Sequence, residues 1–244
     1  MEERTKLSAE AEQEQAATAV QTETELKKVT RAQRLGATMK NYFTATRISY
    51  MAIFTALSYV LYLPYLEFSL IPAVPFLKVD FSNTFVLISG LSLGPVAGVI
   101  VGVLKELIHA LTFSSTSGVG ELANILIMLP YVLVPSLLYK KYKGIKAVLA
   151  MLGMCCILQA LWSIPVNYLL TFPFFLLAFH FPGVETWLDG MNYYLTVWYW
   201  AVLFNLIKTV LVTAAVLLLY KPLSKLINLT RQKFEKTGKS RAKA

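Results

Sequence analysis

The sequence predicts an all-α integral membrane protein, a bundle of six transmembrane helices with both termini in the cytoplasm. Three observations lead there. Apolar residues make up 56% of the 244 positions and charged ones only 15%, against roughly 45–50% and about 25% in soluble domains. Several apolar runs approach the ~20 residues a helix needs to cross the hydrocarbon, and the polar/apolar alternation of a barrel strand is absent. The net charge of +9 is concentrated at the chain ends and in short connecting segments. That is the positive-inside pattern of a protein in a lipid bilayer, not the footprint of a nucleic-acid binder.

The ends stand apart in composition. Residues 1–46 form a polar cytoplasmic tail rich in Glu, Gln, Ala, Thr and Lys, expected to be disordered or loosely helical. Its first forty residues hold no apolar segment of the kind a secretory signal needs. Lys27, Lys28, Arg31, Arg34, Lys40 and Arg47 cluster before the first span and hold the N-terminus inside. Residues 47–226 are the membrane domain, and 227–244 a basic cytoplasmic tail. Cys155 and Cys156 are adjacent in an apolar run, without metal-ligand spacing, and read as buried small hydrophobes.

The first span is expected over Ile48–Tyr65, with Ala52 and Ala56 on one face where another helix can approach closely. Leu66 to Lys78 carries Pro72 and Pro75 and cannot be one regular helix. It is expected as an irregular outer loop that partly re-enters or caps the bundle. The second span, Val79–Leu93, begins with Asp80, Ser82 and Asn83, residues that favour helix starts. Gly94-Pro95 makes a tight inner turn. The third span, Val96–Phe113, has Gly98 and Gly102 as a GxxxG face and carries Lys105, Glu106 and His109. The polar loop SSTSGVG leads to the fourth span, Glu121–Tyr139, and Lys140, Lys141 and Lys143 mark the cytoplasmic loop after it. The fifth span, Ile145–Leu170, should kink at Pro165. An aromatic outer loop from Phe172 to Gly190 bears only acidic charge, Glu185 and Asp189. The sixth span, Met191–Tyr220, contains Asn205 and Lys208.

An ionisable group in hydrocarbon costs about 2.5–3.5 kcal/mol on insertion scales, so the polar groups locate any site. This topology puts Lys78, Asp80 and Glu121 at outer ends near water and leaves Lys105, Glu106 and His109 deep. Gln159, Asn167 and Asn205 fall in the outer half or near the midplane, and the inner half is almost purely apolar. A site open to one side fits this better than a channel through the bilayer. Lys105 and Glu106 are adjacent and do not share a helix face, so one of them snorkels or pairs with another helix. His109 reads as a satisfied interface histidine; no second histidine lies nearby to suggest a metal. Asn205 and Lys208 share a face and mark either a ligand contact or buried pair, or a structural hydrogen bond beside a snorkelling lysine. The aromatics Phe68, Phe76, Trp162, Tyr168, Tyr193, Tyr194 and Trp198 either stack on a flat ligand or form the interfacial belt. No P-loop, HExxH or GxSxG is present. The chain carries no visible motor, no catalytic set and no metal site, and is read as no enzyme.

Four pieces, in order, resemble a known family: Ala52-Ile53-Phe54-Thr55-Ala56; FLKVDFSN (Phe76–Asn83) followed by GLSLGPVAG (Gly90–Gly98); LKELIHAL (Leu104–Leu111) followed by TSGVGELAN; and PVNYLL with FNLIK (Phe204–Lys208) and LLYKPLS (Leu218–Ser224). Over about Arg47–Leu226 the chain is similar to the substrate-binding S components of energy-coupling factor (ECF) vitamin transporters, most of all the riboflavin-specific type. The resemblance implies a multi-pass protein of the bacterial cell membrane that captures riboflavin from outside. It also implies docking on one membrane T component with two ATPase subunits, Ala52 and Ala56 facing the T component. Asn205 and Lys208 match the pair that contacts the flavin ring system, and Asn167 an asparagine near the ligand. The segment containing Gly120 and the loop before Lys78 help enclose it. Asparagine can donate and accept along the polar edge of a flavin and lysine adds a positive charge. Aromatics such as Phe68 can cover the ring faces, while Asn124, Glu121 and Lys78 are candidates for the ribityl hydroxyls. Riboflavin would be cargo, not cofactor. The alternatives are an S component for another vitamin or heterocycle, and a membrane subunit or enzyme without transport. The N-terminal tail has no counterpart in the family pattern.

Overall fold

Pro64 decides where the first helix ends. It has no N–H to donate and restricts the residue before it. In the computed structural model the helix α1 runs Ala45–Val60, and the chain leaves it through turns closed by Tyr62 N–H to Tyr59 O and Leu66 N–H to Leu63 O. The span expected to reach Tyr65 is therefore cut short. The structure describes residues 42–70, 77–139, 141–142, 145–174 and 199–219, with Leu229 and Gln232. The expectations for residues 1–41, Pro72, Pro75, Phe76, Lys140, Lys143, the outer loop carrying Glu185 and Asp189, Tyr193, Tyr194, Trp198 and nearly all of the basic tail lie outside those residues.

After the turns, the segment expected to be irregular holds a two-residue antiparallel ribbon. β1 (Phe68–Ser69) pairs with β2 (Lys78–Val79), Phe68 opposite Val79 and Ser69 opposite Lys78. Because β2 uses Lys78 and Val79, the next helix starts at Asn83 instead of Val79: α2 is Asn83–Leu93. Ten of its eleven residues are buried, the state expected of a helix apolar all round. Its two serines return their hydroxyls to their own helix, Ser89 to Val86 O and Ser92 to Ile88 O.

Gly94 has φ 104° and lets the chain reverse directly into α3, Pro95–Thr112, with Pro95 in the first turn. The same hairpin brings α2 and α3 very close: a Cβ on Gly98 would lie 2.8 Å from Gly90 Cα. Gly102 faces the Met128 side chain in the same way. α4 is Val119–Leu138 and packs on α2, α3 and α5. α5 is Ile145–Val166. The kink expected at Pro165 appears as a change of helix type: Asn167–Thr171 is a π turn, closed by Phe172 N–H to Asn167 O. α6 is Tyr199–Leu219. It is tied to α4 and α5 through the Thr213 hydroxyl, 2.9 Å from Tyr131 OH and 3.3 Å from Cys156 Sγ.

Among the described residues four helices are long and apolar enough to cross a membrane: α3, α4, α5 with its π continuation, and α6. α2 is apolar but shorter. Residues Ile48–Thr237 form one compact unit. In the other unit, the Arg47 guanidinium lies 3.8 Å over the Tyr42 ring.

Candidate functional site

One recess gathers polar side chains from nearly every element. Tyr62 and Glu67 enter from the turns after α1, Lys78 and Asp80 from β2 and its connection to α2, and His109 from α3. Gly120, Glu121 and Asn124 line it from the first turns of α4, Asn167 and Thr171 from the π turn, and Phe204, Asn205 and Lys208 from α6. The free space they border, counted out into the solvent at its mouth, is about 660 Å³. It sits where three local irregularities meet: the break at Pro64, the left-handed Gly118 before α4, and the π turn after Pro165. The first and last break a regular helix, and Gly118 sets the start of α4.

Two asparagines present the same chemistry. Asn167 donates its amide to Ser163 O at 2.8 Å, and Asn205 to Ala201 O at 2.9 Å. A carbonyl acceptor fixes the nitrogen on that side, so both amide oxygens are turned away as acceptors. Beside them the Thr171 hydroxyl is buried without a hydrogen-bond partner. A buried polar group left unmade costs about 1–3 kcal/mol, so such a group at a recess wall is available to a ligand.

Lys208 Nζ lies 2.8 Å from Asp80 Oδ2 and 5.9 Å from the Phe204 ring centre. Asp80 Oδ1 accepts the Ser82 backbone N–H at 2.9 Å and the Ser82 hydroxyl. Asp80 precedes α2 and lies outside the helix. Burial alone would raise its carboxyl, but Lys208 and Lys105, with hydrogen bonds from Lys208 and Ser82, hold it well below its ordinary value. It is 1% exposed, so the expectation that it lies near water is overturned. The reason is pairing: two lysines and a serine replace the water.

Glu121, also expected near water, is buried too. Its Oε1 lies 2.9 Å from His109 Nδ1, and its Oε2 accepts the hydroxyls of Thr116 at 2.9 Å and Ser114 at 3.1 Å. His109 Nε2 faces Glu67 Oε1 at 3.4 Å, and Glu67 Oε2 takes Lys78 Nζ at 3.0 Å. Burial raises the Glu67 carboxyl, yet the contacts with His109 and Lys78 bring it below its ordinary value. Of the three residues placed at the water interface, only Lys78 is there, its side chain 43% exposed.

Tyr62 joins these groups. Its ring stacks on His109 with centres 3.8 Å apart and planes 17° apart, and Lys105 Nζ lies 4.5 Å from its centroid. Its hydroxyl accepts the Asn124 amide at 2.8 Å. Lys105 and Glu106 depart from expectation: they pair with each other, Nζ to Oε1 at 2.7 Å, and both are 1% exposed. Long, flexible side chains let sequence neighbours meet even though their helix positions diverge.

The recess thus brings together Asn205, Lys208, Asn167, Asn124, Glu121, Gly120 and Lys78. Phe68 is not among its walls and is 43% exposed on β1; the ribbon turns it outward, and Tyr62 and Phe204 are the aromatics present instead. Ala52 and Ala56 lie on the exposed face of α1, away from buried Met51, Phe54, Thr55 and Ser58. Tyr62, Glu67 and Thr171 were missed in the sequence. Pro64 was the available signal for the first two, and the helical spacing of Thr171 from Asn167 for the third.

Fold and recess together define a multi-pass helical membrane protein with a polar site set among its helices. The family model for the substrate-specific component of ECF transporters matches residues 46–220. The chain belongs to that family, one of transporter subunits. It is 26% identical over 178 residues to the riboflavin transporter RibU of Staphylococcus aureus, covering 73% of this chain and 90% of that one. It is 30% identical over 192 residues to the riboflavin transporter RibU of Streptococcus thermophilus, covering 77% and 88%. A solved S component of a bacterial ECF transporter superposes with a TM-score of 0.61 at 26% identity, covering 75% of this chain and 97% of that one.

Proposed function

We propose that this chain is the riboflavin-capturing subunit of an ECF-type importer in the bacterial cell membrane. In this reading it crosses the membrane six times with both termini in the cytoplasm, binds the vitamin from outside, and works with one T component and two ATPase subunits. The observation that carries the ligand is the convergence of Asn167, Asn205 and Lys208 on one recess. A flavin's imide edge alternates carbonyl, N–H and carbonyl. The free amide oxygens of the asparagines suit the N–H, and the protons of Lys208 not used by Asp80 suit a carbonyl. Thr171 adds a hydroxyl. Phe204 offers a ring face, while Lys78, Gly120, Glu121 and Asn124 form the more open wall, suited to ribityl hydroxyls. Few directed polar contacts in a largely enclosed site are the usual form of small-molecule recognition. The riboflavin-transporter relatives support the same ligand.

The test is direct. Purified protein titrated with riboflavin should quench the flavin's fluorescence at one ligand per chain, and Asn205→Ala and Lys208→Met should weaken that binding at least tenfold. Unquenched fluorescence with the intact chain would overturn the ligand and favour another heterocycle. For the partner, Ala52→Trp and Ala56→Trp should abolish uptake in cells while leaving riboflavin binding intact, because the small exposed face of α1 is proposed to meet the T component. Normal uptake by both variants would remove that docking surface.

A further inference from the structure

Behind the recess lies a chain of buried polar groups that no direct ligand contact accounts for. Lys105 Nζ donates to the Ser82 hydroxyl. The one proton of that hydroxyl goes to Asp80 Oδ1, which also accepts the Ser82 backbone N–H. The other oxygen of Asp80 holds Lys208. Glu106 balances Lys105 at the far end. Asp80 and Lys208 line the recess, whereas Ser82, Lys105 and Glu106 do not. All three of these are 1% exposed or less.

Stability does not explain them. Replacing a buried ion pair by well-packed apolar residues is often neutral or stabilising. What the chain does accomplish is mechanical. It links α3, the β2–α2 connection and α6, and it ends on the ammonium group that faces the recess. Lysine is a flexible side chain with a point charge, and Asp80 sits in a connection just past a two-residue strand. Neither fixes its own position. With both donors on Oδ1, and the Ser82 rotor committed by Lys105, the carboxylate has one orientation left, and Lys208 with it. Supporting groups of this kind are what hold a binding constellation in its productive geometry.

We propose that Lys105 and Ser82 are positioning residues for the binding site, setting through Asp80 where the Lys208 ammonium meets the ligand. The ligand half of this rests on the riboflavin reading; the positioning of Lys208 does not. Two measurements on the full chain therefore separate them.

The first is riboflavin affinity with the visible absorption band of the bound flavin. Ser82→Ala removes the link and leaves every charge in place, and Lys105→Met/Glu106→Gln removes its far end without baring a charge. Each should weaken binding about tenfold and move the band towards its position in Lys208→Met. Ser82→Thr, which keeps the hydroxyl, should retain both the affinity and the band. The second needs no ligand: the rate at which a small acylating reagent modifies Lys208, read by mass spectrometry. Ser82→Ala should speed that reaction several-fold and leave Lys78 unchanged. Equal Lys208 rates in Ser82→Ala and the intact chain would overturn the positioning role, whatever the ligand. A raised rate with no riboflavin binding by the intact chain would uphold the positioning and sink only the flavin.

Discussion

Two sets of paired charges border the recess, and each has two basic and two acidic members. In one, Lys78, Glu67, His109 and Glu121 tie the turns and the ribbon to α3 and α4. In the other, Lys105, Glu106, Asp80 and Lys208 link α3, the start of α2 and α6. Tyr62 touches both, stacking on His109 with Lys105 over its ring. The media differ. The Lys78 side chain is 43% exposed, whereas no side chain in the second set exceeds 7%. Equal formal charge therefore carries unequal weight. Water reaches the first set through Lys78, although the side chains of Glu67, His109 and Glu121 are no more than 7% exposed; the second set has no member as open as Lys78.

The largest effect expected from this contrast is Asp80→Ala. It takes the carboxylate partner from the buried Lys208, and breaking a buried pair costs about 3–5 kcal/mol. A large drop in the melting temperature of the purified protein checks it; an unchanged melt would mean that water reaches the set. Next, Asp80→Asn/Lys208→Met removes both charges together. Most of the lost stability should return while riboflavin binding stays weak, separating the fold's need for the pair from the ligand's need for it.

Glu67→Gln acts on the more open set and should cost about 1–2 kcal/mol at neutral pH, the range of a hydrogen bond to a charged group. Its pH dependence has a definite sign. The folded carboxyl is held below its ordinary value, so its stabilisation is present above the unfolded pKa of about 4.3 and is lost as pH falls through the folded value. Wild type and variant should therefore unfold alike in acid and diverge above it; a constant gap at all pH values would remove the ionic contribution. The smallest effect is Lys78→Ala, under about 1 kcal/mol and fading with added salt. A salt-independent loss would show that the rim is as dry as the sealed set.

Much of the helical scaffold was legible. α3, α4, α5 and the described part of α6 fall within a few residues of the expected spans, because apolar length and the Gly94-Pro95 turn are local properties. The end of α1 was legible in principle, since Pro64 states it, but the apolar run masks the break. The site was legible in its residue types and not in its pairings. Asn167, Asn205 and Lys208 stood out as polar groups in apolar helices. Nothing local said that Lys208 meets Asp80, or that Glu67 reaches His109 and Lys78 at once. Phe68 shows the opposite failure: an aromatic in the right loop, turned outward by the register of a two-residue ribbon.

By itself the sequence determined a membrane-embedded helical chain, the places where helices break, and the scarce polar groups that must answer to one another. Hydropathy, proline and glycine act over a few residues, so their consequences can be read in order along the chain. Tertiary structure decided the partners. Asp80 and Glu121 are chemically indistinguishable from interfacial carboxylates until helices from distant parts of the chain deliver Lys208, Lys105 and His109 beside them. Only that meeting, in a medium too dry to leave a charge alone, turns isolated polar residues into the wall of one site.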